Sequence, residues 1–381
     1  SQGRTQTQMP AFSGTLSKED IAALAAYVQR PVSPLPSWTA EDVTASLSLS
    51  ADYKAPEKPV FKADPLNLFV VVETGDHHVS VLDGETFERL DRFATPFAVH
   101  GGPKFSPDGR FVFVMSRDGW VQKYDLWALK EVGRVRAGLN SRNIAMSKDG
   151  KWLAVANYLP HTLVLLDADL NLLKVHEVWN KERKESSRVS AVYDAAPRQS
   201  FVAALKDVKE VWEVSYNPKA PDVAVGMVHD FKYREGYFVP GFLNPQRSQL
   251  GDYLDDFYFT QGYDEVMGAS RNDAKAAVSG QVVNLDARKK IADLTDLQLL
   301  HAGFGWAVGI DRDNSGSAVV LAFRDGRWTL DSFDEMPALY AVRSLAEDWT
   351  LAVGRNGVLM HHDGTLWREV GRTNPGGYNP W

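Results

Sequence analysis

The feature that most constrains the fold is a turn-and-strand pattern that occurs twice, 41 residues apart. Ser106-Pro-Asp-Gly109 precedes the apolar run 111–115, and Ser147-Lys-Asp-Gly150 precedes the run 152–156. Proline presets φ in the first turn and glycine can take φ > 0, so each turn leads into a buried strand. A period of about 40 residues with several strands in each repeat predicts the blades of a β-propeller.

Further turns extend this repeat along the chain. Blades are predicted at about 66–98, 105–138, 143–178, 188–216 and 255–294. Residues 299–372 carry a different motif, which reads Asp325-Gly-Arg-Trp328 and then Asp363-Gly-Thr-Leu-Trp367. This motif resembles BNR or sialidase-like propeller repeats, in which Asp-Gly turns a hairpin and Trp packs between blades. The predicted fold class is therefore all-β, a propeller of seven or eight blades.

Composition excludes several classes of protein. The net charge of −7 argues against a nucleic-acid or anionic-membrane partner, and no stretch approaches 18 apolar residues. Zero cysteines exclude disulfides, thiolate metal sites and a Cys-x-x-Cys-His haem attachment within these residues. The chain begins with Ser and shows no signal segment, so we expect that an N-terminal part is missing.

The N-terminal residues predict one helix. Ser17-Lys-Glu-Asp20 is a capping signal, and apolar residues follow at helical spacing up to Pro31, which predicts a helix from about Lys18 to Gln29. Met9-Pro-Ala-Phe-Ser-Gly14 resembles the axial-methionine segment of a class I cytochrome c. The resemblance implies that residues 1–31 are the C-terminal part of such a domain, an α-helical remnant with Met9 as the sixth ligand of haem c. The alternative is a tail with a chance Met-Pro.

Residues 32–60 are rich in proline and predict a linker, and residues 61–381 are assigned to the propeller.

Two blocks of sequence within 61–298 carry a family resemblance. The first resembles the haem d1-binding propeller of the cytochrome cd1 family and comprises Phe97-Ala-Val-His100, Gly109 to Gly119, Tyr124-Asp-Leu-Trp127, Arg134 to Arg142 and Val155-Ala-Asn-Tyr158. The second resembles the haem d1 biosynthesis branch of that family, which contains a dehydrogenase with an N-terminal cytochrome c domain; it comprises Val228-His229-Asp-Phe, Tyr253-Leu-Asp-Asp-Phe257, Gly268-Ala-Ser-Arg271 and residues 282–293.

The resemblance implies a set of binding residues. His100 matches the histidine that ligates the haem d1 iron from the proximal side, a role that suits an imidazole. Arg117 and Arg142 match arginines that face the carboxylates of the macrocycle, for which a guanidinium is a bidentate partner. Tyr158 matches a residue that lines the pocket. The alternatives are a structural histidine and surface salt bridges.

On the distal side the sequence departs from the nitrite reductases of the family. Those enzymes have two distal histidines, and the sequence motif of the first is not found here. His229 belongs to the biosynthetic pattern, and His301 lies about where the second distal histidine is expected. Without the pair, the proton donors that nitrite reduction needs are missing. His229 and His301 are therefore the candidate catalytic residues of a different reaction.

The predicted function is binding of dihydro-haem d1 and desaturation of one propionate to the acrylate of haem d1, with electrons passing to a c-type haem. The alternatives are a non-catalytic haem d1 carrier or assembly propeller, a scaffold that binds no haem, and a cytochrome cd1 nitrite reductase. The resemblance implies a tetrapyrrole substrate, a periplasmic location, and a nitrite reductase or another haem d1 maturation protein as partner.

Overall fold

The structure is a computed structural model that describes residues 12–30, 36–224, 238–270, 280–301, 303–311 and 317–372. The chain divides into two compact units, residues 1–37 and residues 38–381. In the described parts, no helix has both the length and the apolar character that a membrane crossing requires.

The N-terminal unit contains the predicted helix. Helix α1 spans Lys18–Val28, with Gln29 as its C-cap. Ser17 and Asp20 form the predicted capping box, in which the Asp20 amide donates to Ser17 Oγ at 3.0 Å. Tyr27 and Val28 are 68% and 75% exposed, so nothing in the described part of this unit covers them. Met9 lies outside the described residues.

The second unit begins with a segment that packs on sheet structure. Helix α2 spans Ala40–Ala45, and strand β1, Ser48–Leu49, pairs antiparallel with strand β8, described below. The Trp38 indole donates to the carbonyl of Arg136 at 2.8 Å, and Val43 is buried. Residues 38–49, predicted as part of a linker, are therefore packed against the propeller, because their apolar side chains have a sheet to cover.

In the described parts of the chain, the strands that follow can be grouped into seven consecutive units, of which the fourth, fifth and sixth share one 11-stranded sheet. The first comprises β2 Leu68–Glu73, β3 His78–Asp83 and β4 Arg89–Ala94. The second comprises β5 Lys104–Phe105, β6 Phe111–Met115, β7 Trp120–Asp125 and β8 Lys130–Arg136. The third comprises β9 Asn140–Met146, β10 Trp152–Leu159, β11 Thr162–Asp167 and β12 Leu172–Glu177.

The fourth unit contains a long insertion. Its strands are β13 Val189–Ala195, β14 Ser200–Leu205, β15 Glu210–Ser215 and β18 Pro245–Gln249, and the short hairpin of β16 Val223–Ala224 and β17 Phe238–Val239 lies between the last two. The predicted blade ended at residue 216, whereas its outer strand comes from 245–249. Inner strands are recognised by their apolar pattern, which the polar run Pro245–Gln249 lacks. An outer strand needs fewer apolar residues because fewer of its sides are covered by other parts of the protein.

The last three units are continuous in sequence. The fifth comprises β19 Tyr258–Phe259, β20 Glu265–Ala269, β21 Gly280–Asn284 and the start of β22 Lys289–His301. The rest of β22 opens the sixth, with β23 Phe304–Asp311, β24 Ser317–Arg324 and β25 Arg327–Pro337. The seventh comprises β26 Leu339–Ala346, β27 Trp349–Gly354, β28 Val358–His362 and β29 Trp367–Arg372.

Six apolar clusters hold these units together, and each joins one unit to the next. The predicted role of the two tryptophans is confirmed: Trp328 packs between the fifth and sixth units, and Trp367 between the sixth and seventh. Sheets stacked face to face in this way are typical of propellers, and the units between the first and the last bury both faces.

Strands within a four-stranded unit are called A to D in chain order. Because neighbouring strands are antiparallel, the B–C turn and the connection from D to the next A lie at one end of the unit, which we call the upper end. The A–B and C–D turns, including Ser106 to Gly109, lie at the lower end.

Candidate functional site

His100 lies at the upper end, in the connection between β4 and β5. Its amide donates to the carbonyl of Met115 at 2.8 Å, which anchors the loop on strand β6. The loop turns sharply, with Ala98 at φ 49°, Gly101 at φ 80° and Gly102 at φ 68°. A Cβ on Gly101 would lie 3.1 Å from the Cα of Asn143, so the loop needs glycine there both for its φ and for its closeness to the third unit.

The imidazole of His100 is oriented by a backbone carbonyl. Its Nδ1 lies 2.6 Å from the carbonyl oxygen of Arg142. A carbonyl only accepts, so Nδ1 carries the proton and the neutral ring keeps its lone pair on Nε2. This is the backbone contact that commonly orients a metal-binding histidine. Burial lowers the pKa of His100, as do the charges of Arg142 and Arg117, so the ring is neutral at neutral pH.

Arg117 lies in the B–C turn of the second unit, beside the His100 loop. Its amide donates to the carbonyl of Ala98 at 2.9 Å, and its own carbonyl accepts from the amide of Ser141 at 3.0 Å. Its side chain is exposed. These two bonds hold the His100 loop, the Arg117 turn and the first strand of the third unit together, so three separate segments of sequence converge at one place.

Arg142 and Tyr158 complete the group that the sequence predicted. Arg142 lies on β9, and its guanidinium carbon is 4.8 Å from the centre of the Tyr158 ring, a cation–π distance. Beside Tyr158, Asn157 is fully buried: its Oδ1 accepts from Ser141 Oγ at 2.5 Å and its amide donates to the carbonyl of Ala137 at 2.9 Å. Asn157 therefore fixes the turn that presents Tyr158.

Two cations that sequence reasoning missed face the same ring. Arg188 Cζ lies 5.1 Å and Lys206 Nζ 5.7 Å from the ring centre of Tyr158. The sequence did contain a signal for Lys206. Lys206-Asp207 is a basic–acidic pair in the B–C turn of the fourth unit, and Arg117-Asp118 is the equivalent pair in the B–C turn of the second. The sequence carries no comparable signal for Arg188, which lies in the connection between β12 and β13.

His77 is a further missed residue. It lies in the turn between β2 and β3, and its Nδ1 accepts from the amide of Ala98 at 3.2 Å. Its ring packs on Phe97, with centres 5.1 Å apart. His77 therefore supports the His100 loop from the first unit, although no matched motif drew attention to it.

The two candidate catalytic histidines remain predictions. The backbone of His301 pairs with that of Phe304 at the hairpin between β22 and β23. His229 lies outside the described residues.

Comparison with known proteins finds similarity over the part of the chain that contains the candidate site. The family model described as Cytochrome D1 heme domain matches residues 63–332, so the match continues past residue 298, where the haem d1-type blades were predicted to end. Dihydro-heme d1 dehydrogenase of Pseudomonas aeruginosa is 45% identical over 328 residues, which cover 86% of this chain and 58% of that protein. Protein NirF of the same organism is 34% identical over 154 residues, covering 40% of this chain and 39% of NirF.

One further sequence and one solved structure extend the comparison. Nitrite reductase of Stutzerimonas stutzeri is 25% identical over 254 residues, covering 62% of this chain and 45% of that protein. The structure of dihydro-heme d1 dehydrogenase NirN in complex with DHE matches with a TM-score of 0.65 and 38% identity, covering 98% of this chain and 79% of that chain.

The chain thus spans less than two thirds of the length of these curated relatives. The family match itself takes in the His100 loop, both arginines and Tyr158, and it extends over more than half of the chain. On this ground the chain belongs to the Cytochrome D1 heme domain family.

Proposed function

We propose that this chain binds dihydro-haem d1 and oxidises one of its propionates to an acrylate. The observation that carries the proposal is the neutral imidazole of His100, which keeps Nε2 available for iron and lies beside two arginines at the upper end. The similarity to dihydro-heme d1 dehydrogenase supports the choice of substrate.

In this proposal His100 Nε2 binds the iron from the proximal side, and Arg117 and Arg142 bind carboxylates at the edge of the macrocycle. Charged hydrogen bonds of this kind contribute about 1.5–3 kcal/mol each. Tyr158 lines the pocket and holds Arg142 in place through its ring. The arginines therefore orient the propionate that reacts, and His100 positions the plane of the ring.

The oxidation converts a CH₂–CH₂ unit to CH=CH, so two electrons and two protons leave the substrate. A base must take up the proton at the carbon that reacts first. His229 and His301 are the two histidines proposed for this task. A c-type haem would accept one electron at a time, so two oxidised haem equivalents would be needed for each propionate that is oxidised. The 381 residues contain no cysteine, so none of them can attach that haem through a thioether bond.

We also propose that residues 1–31 are the C-terminal part of a cytochrome c-like domain with Met9 as haem ligand, and that the protein works in the periplasm. A haem d1 maturation protein or a nitrite reductase is the proposed receiver of the product. The seven units are proposed to close into a seven-bladed ring by contact of the first unit with the seventh.

A titration of the full chain with dihydro-haem d1, followed by visible absorption, tests the binding step. We expect a saturable spectral change that His100→Ala abolishes. Addition of an oxidised c-type cytochrome should then yield a product lighter by two hydrogen atoms, detected by mass spectrometry. A spectral change that His100→Ala leaves intact would show that the iron is bound elsewhere.

The similarity to Protein NirF favours one alternative, a carrier that binds the tetrapyrrole without oxidising it. A carrier needs His100 and the arginines but no electron acceptor. It is distinguished by tight, His100-dependent binding of dihydro-haem d1 that is followed by no loss of hydrogen in the presence of the oxidised cytochrome.

A further inference from the structure

The cations Arg188 and Lys206 form a second charged group at the upper end. Arg188 comes from the connection that enters the fourth unit, and Lys206 from the B–C turn of that unit. Neither belongs to the segments that contain Arg117 and Arg142. The two residues are mostly covered, with side-chain exposures of 36% and 16%, so they are held in place rather than spread into solvent.

Three cations meet around one aromatic ring. Arg142, Arg188 and Lys206 lie 4.8, 5.1 and 5.7 Å from the ring centre of Tyr158. The negative face of the ring favours each of them separately. Like charges so close together nevertheless repel one another, and this repulsion is larger in a partly buried site than in bulk water. Negative groups are therefore drawn to this place.

The protein itself supplies two carboxylates. Asp207 accepts from Arg188 Nε at 2.8 Å and from Nη2 at 2.6 Å, and Asp255 pairs with Lys206 at 2.6 Å. A guanidinium has five N–H groups, so the pair with Asp207 leaves donors on Arg188 that can serve a ligand. Arg142 makes no ion pair with any residue that the structure describes, and its guanidinium packs on the Tyr158 ring.

We propose that Arg188 and Lys206, with Tyr158 between them and Arg142, form a second carboxylate subsite. It takes a carboxylate on a different edge of the macrocycle from the carboxylates that Arg117 and Arg142 bind. Asp207 and Asp255 hold the two cations in position, and a ligand carboxylate shares the donors left over on Arg188. This inference rests on the proposed function, because it assumes that a tetrapyrrole binds at His100.

The consequence is that the protein should select among tetrapyrroles by the number of carboxylates that they carry. Two separate cationic groups favour a macrocycle with carboxylates on several edges over one that carries only two. Iron(III) coproporphyrin, with four propionates, and iron(III) protoporphyrin IX, with two, differ in this respect and serve as probes.

The test compares three forms of the full chain by absorption titration with both probes: the wild type, Arg188→Met with Lys206→Met, and Arg183→Met. Arg183 is a matched control, since it lies in the same connection but is 75% exposed and 3.9 Å from Glu177. We expect the wild type to bind the four-carboxylate probe more tightly. The double variant should bind that probe about tenfold to hundredfold more weakly and lose the preference, as removal of a charged hydrogen bond predicts. The control should match the wild type.

If the double variant binds the four-carboxylate probe as well as Arg183→Met does, while binding still depends on His100, the subsite is wrong and the proposed function stands. If the wild type binds neither probe nor dihydro-haem d1, the proposed function and the subsite are both wrong.

A second variant covers the case in which the double variant does not fold. Asp207→Asn retains both cations and removes the charge of a competing carboxylate, so the four-carboxylate probe should bind more tightly. Unchanged or weaker binding would contradict the proposal.

Discussion

The ring of His100 is oriented by a carbonyl oxygen from the next unit, 2.6 Å from Nδ1. The orientation of this ring therefore depends on how closely the His100 loop approaches β9. Gly101 allows this approach, since its missing side chain leaves room for Asn143 and for the Arg142 carbonyl. At the scale of single residues, the orientation of His100 thus depends on the glycine beside it.

Gly101→Ala is expected to weaken the binding of dihydro-haem d1. The new Cβ would lie 3.1 Å from the Cα of Asn143 and 3.2 Å from the carbonyl oxygen of Arg142, so the loop must move away from the atom that orients His100. The backbone at φ 80° adds strain of about 1–3 kcal/mol for a residue with a side chain. Absorption titration measures the affinity, and urea unfolding measures the stability.

Gly102→Ala is the matched control. Gly102 also has positive φ, at 68°, but a Cβ there would meet only Lys104 Nζ, at 3.8 Å. The two variants should lose similar stability, while only Gly101→Ala loses affinity. Equal losses of affinity would mean that the contact with β9 does not orient His100.

At the scale of elements, the insertion 217–244 is tied back to the third unit. His176, on the outer strand β12, donates from Nε2 to the carbonyl of Leu243 at 2.8 Å, because that carbonyl can only accept. Lys174 on the same strand donates to Asn244 at 2.5 Å. These contacts position the chain for β18, the strand that completes the fourth unit and so supports the turn of Lys206.

His176 should make the fold sensitive to acid. Burial lowers its pKa to about 4, whereas a histidine in the unfolded chain has a pKa near 6.5. Between these values the unfolded chain binds a proton that the folded chain does not, so stability falls as pH falls. The contribution is complete above about pH 6.5, and up to roughly 3 kcal/mol is lost toward pH 4.

His176→Gln tests this expectation, since the glutamine amide can still donate to Leu243 but does not titrate. Urea unfolding at a series of pH values between about 4 and 7 should show a shallower loss of stability in the variant than in the wild type. Parallel curves would show that His176 is not the group responsible.

At the scale of the whole molecule, the two terminal units differ from the rest. Each of the others packs both faces against neighbours, whereas the first and seventh take part in one apolar cluster each. Phe69 and Val71 on β2 are 47% and 42% exposed, and Leu345 and Val370 on the seventh unit are 74% and 55% exposed. Closure of the ring would cover both faces and remove this exposed apolar surface from water.

A cysteine pair can test the proposed closure. The chain has no cysteine, so Val71→Cys with Leu359→Cys introduces a unique pair; Leu359 alternates on β28 with Val358 and Met360, which pack against the sixth unit. A short bis-maleimide should link the two within one molecule, seen as a faster band on a denaturing gel. The single variants control for side reactions. Cross-linked dimers without this internal link would show that the two faces meet between copies.

The sequence predicted those parts of the fold that depend on near neighbours. The turns at Ser106 and Ser147, helix α1 and the apolar inner strands were recognised because each pattern lies within a few residues. The strand Pro245–Gln249 was missed, since its place depends on an insertion that returns to the same unit after some 30 residues.

The same division applies to the site. The sequence by itself determined the family and the candidate site residues His100, Arg117, Arg142 and Tyr158, because these lie in contiguous motifs. Only the tertiary structure decided which cations share the ring of Tyr158 and which nitrogen of His100 carries the proton. These properties depend on distances between residues far apart in the chain, and such distances are set only when the units stack.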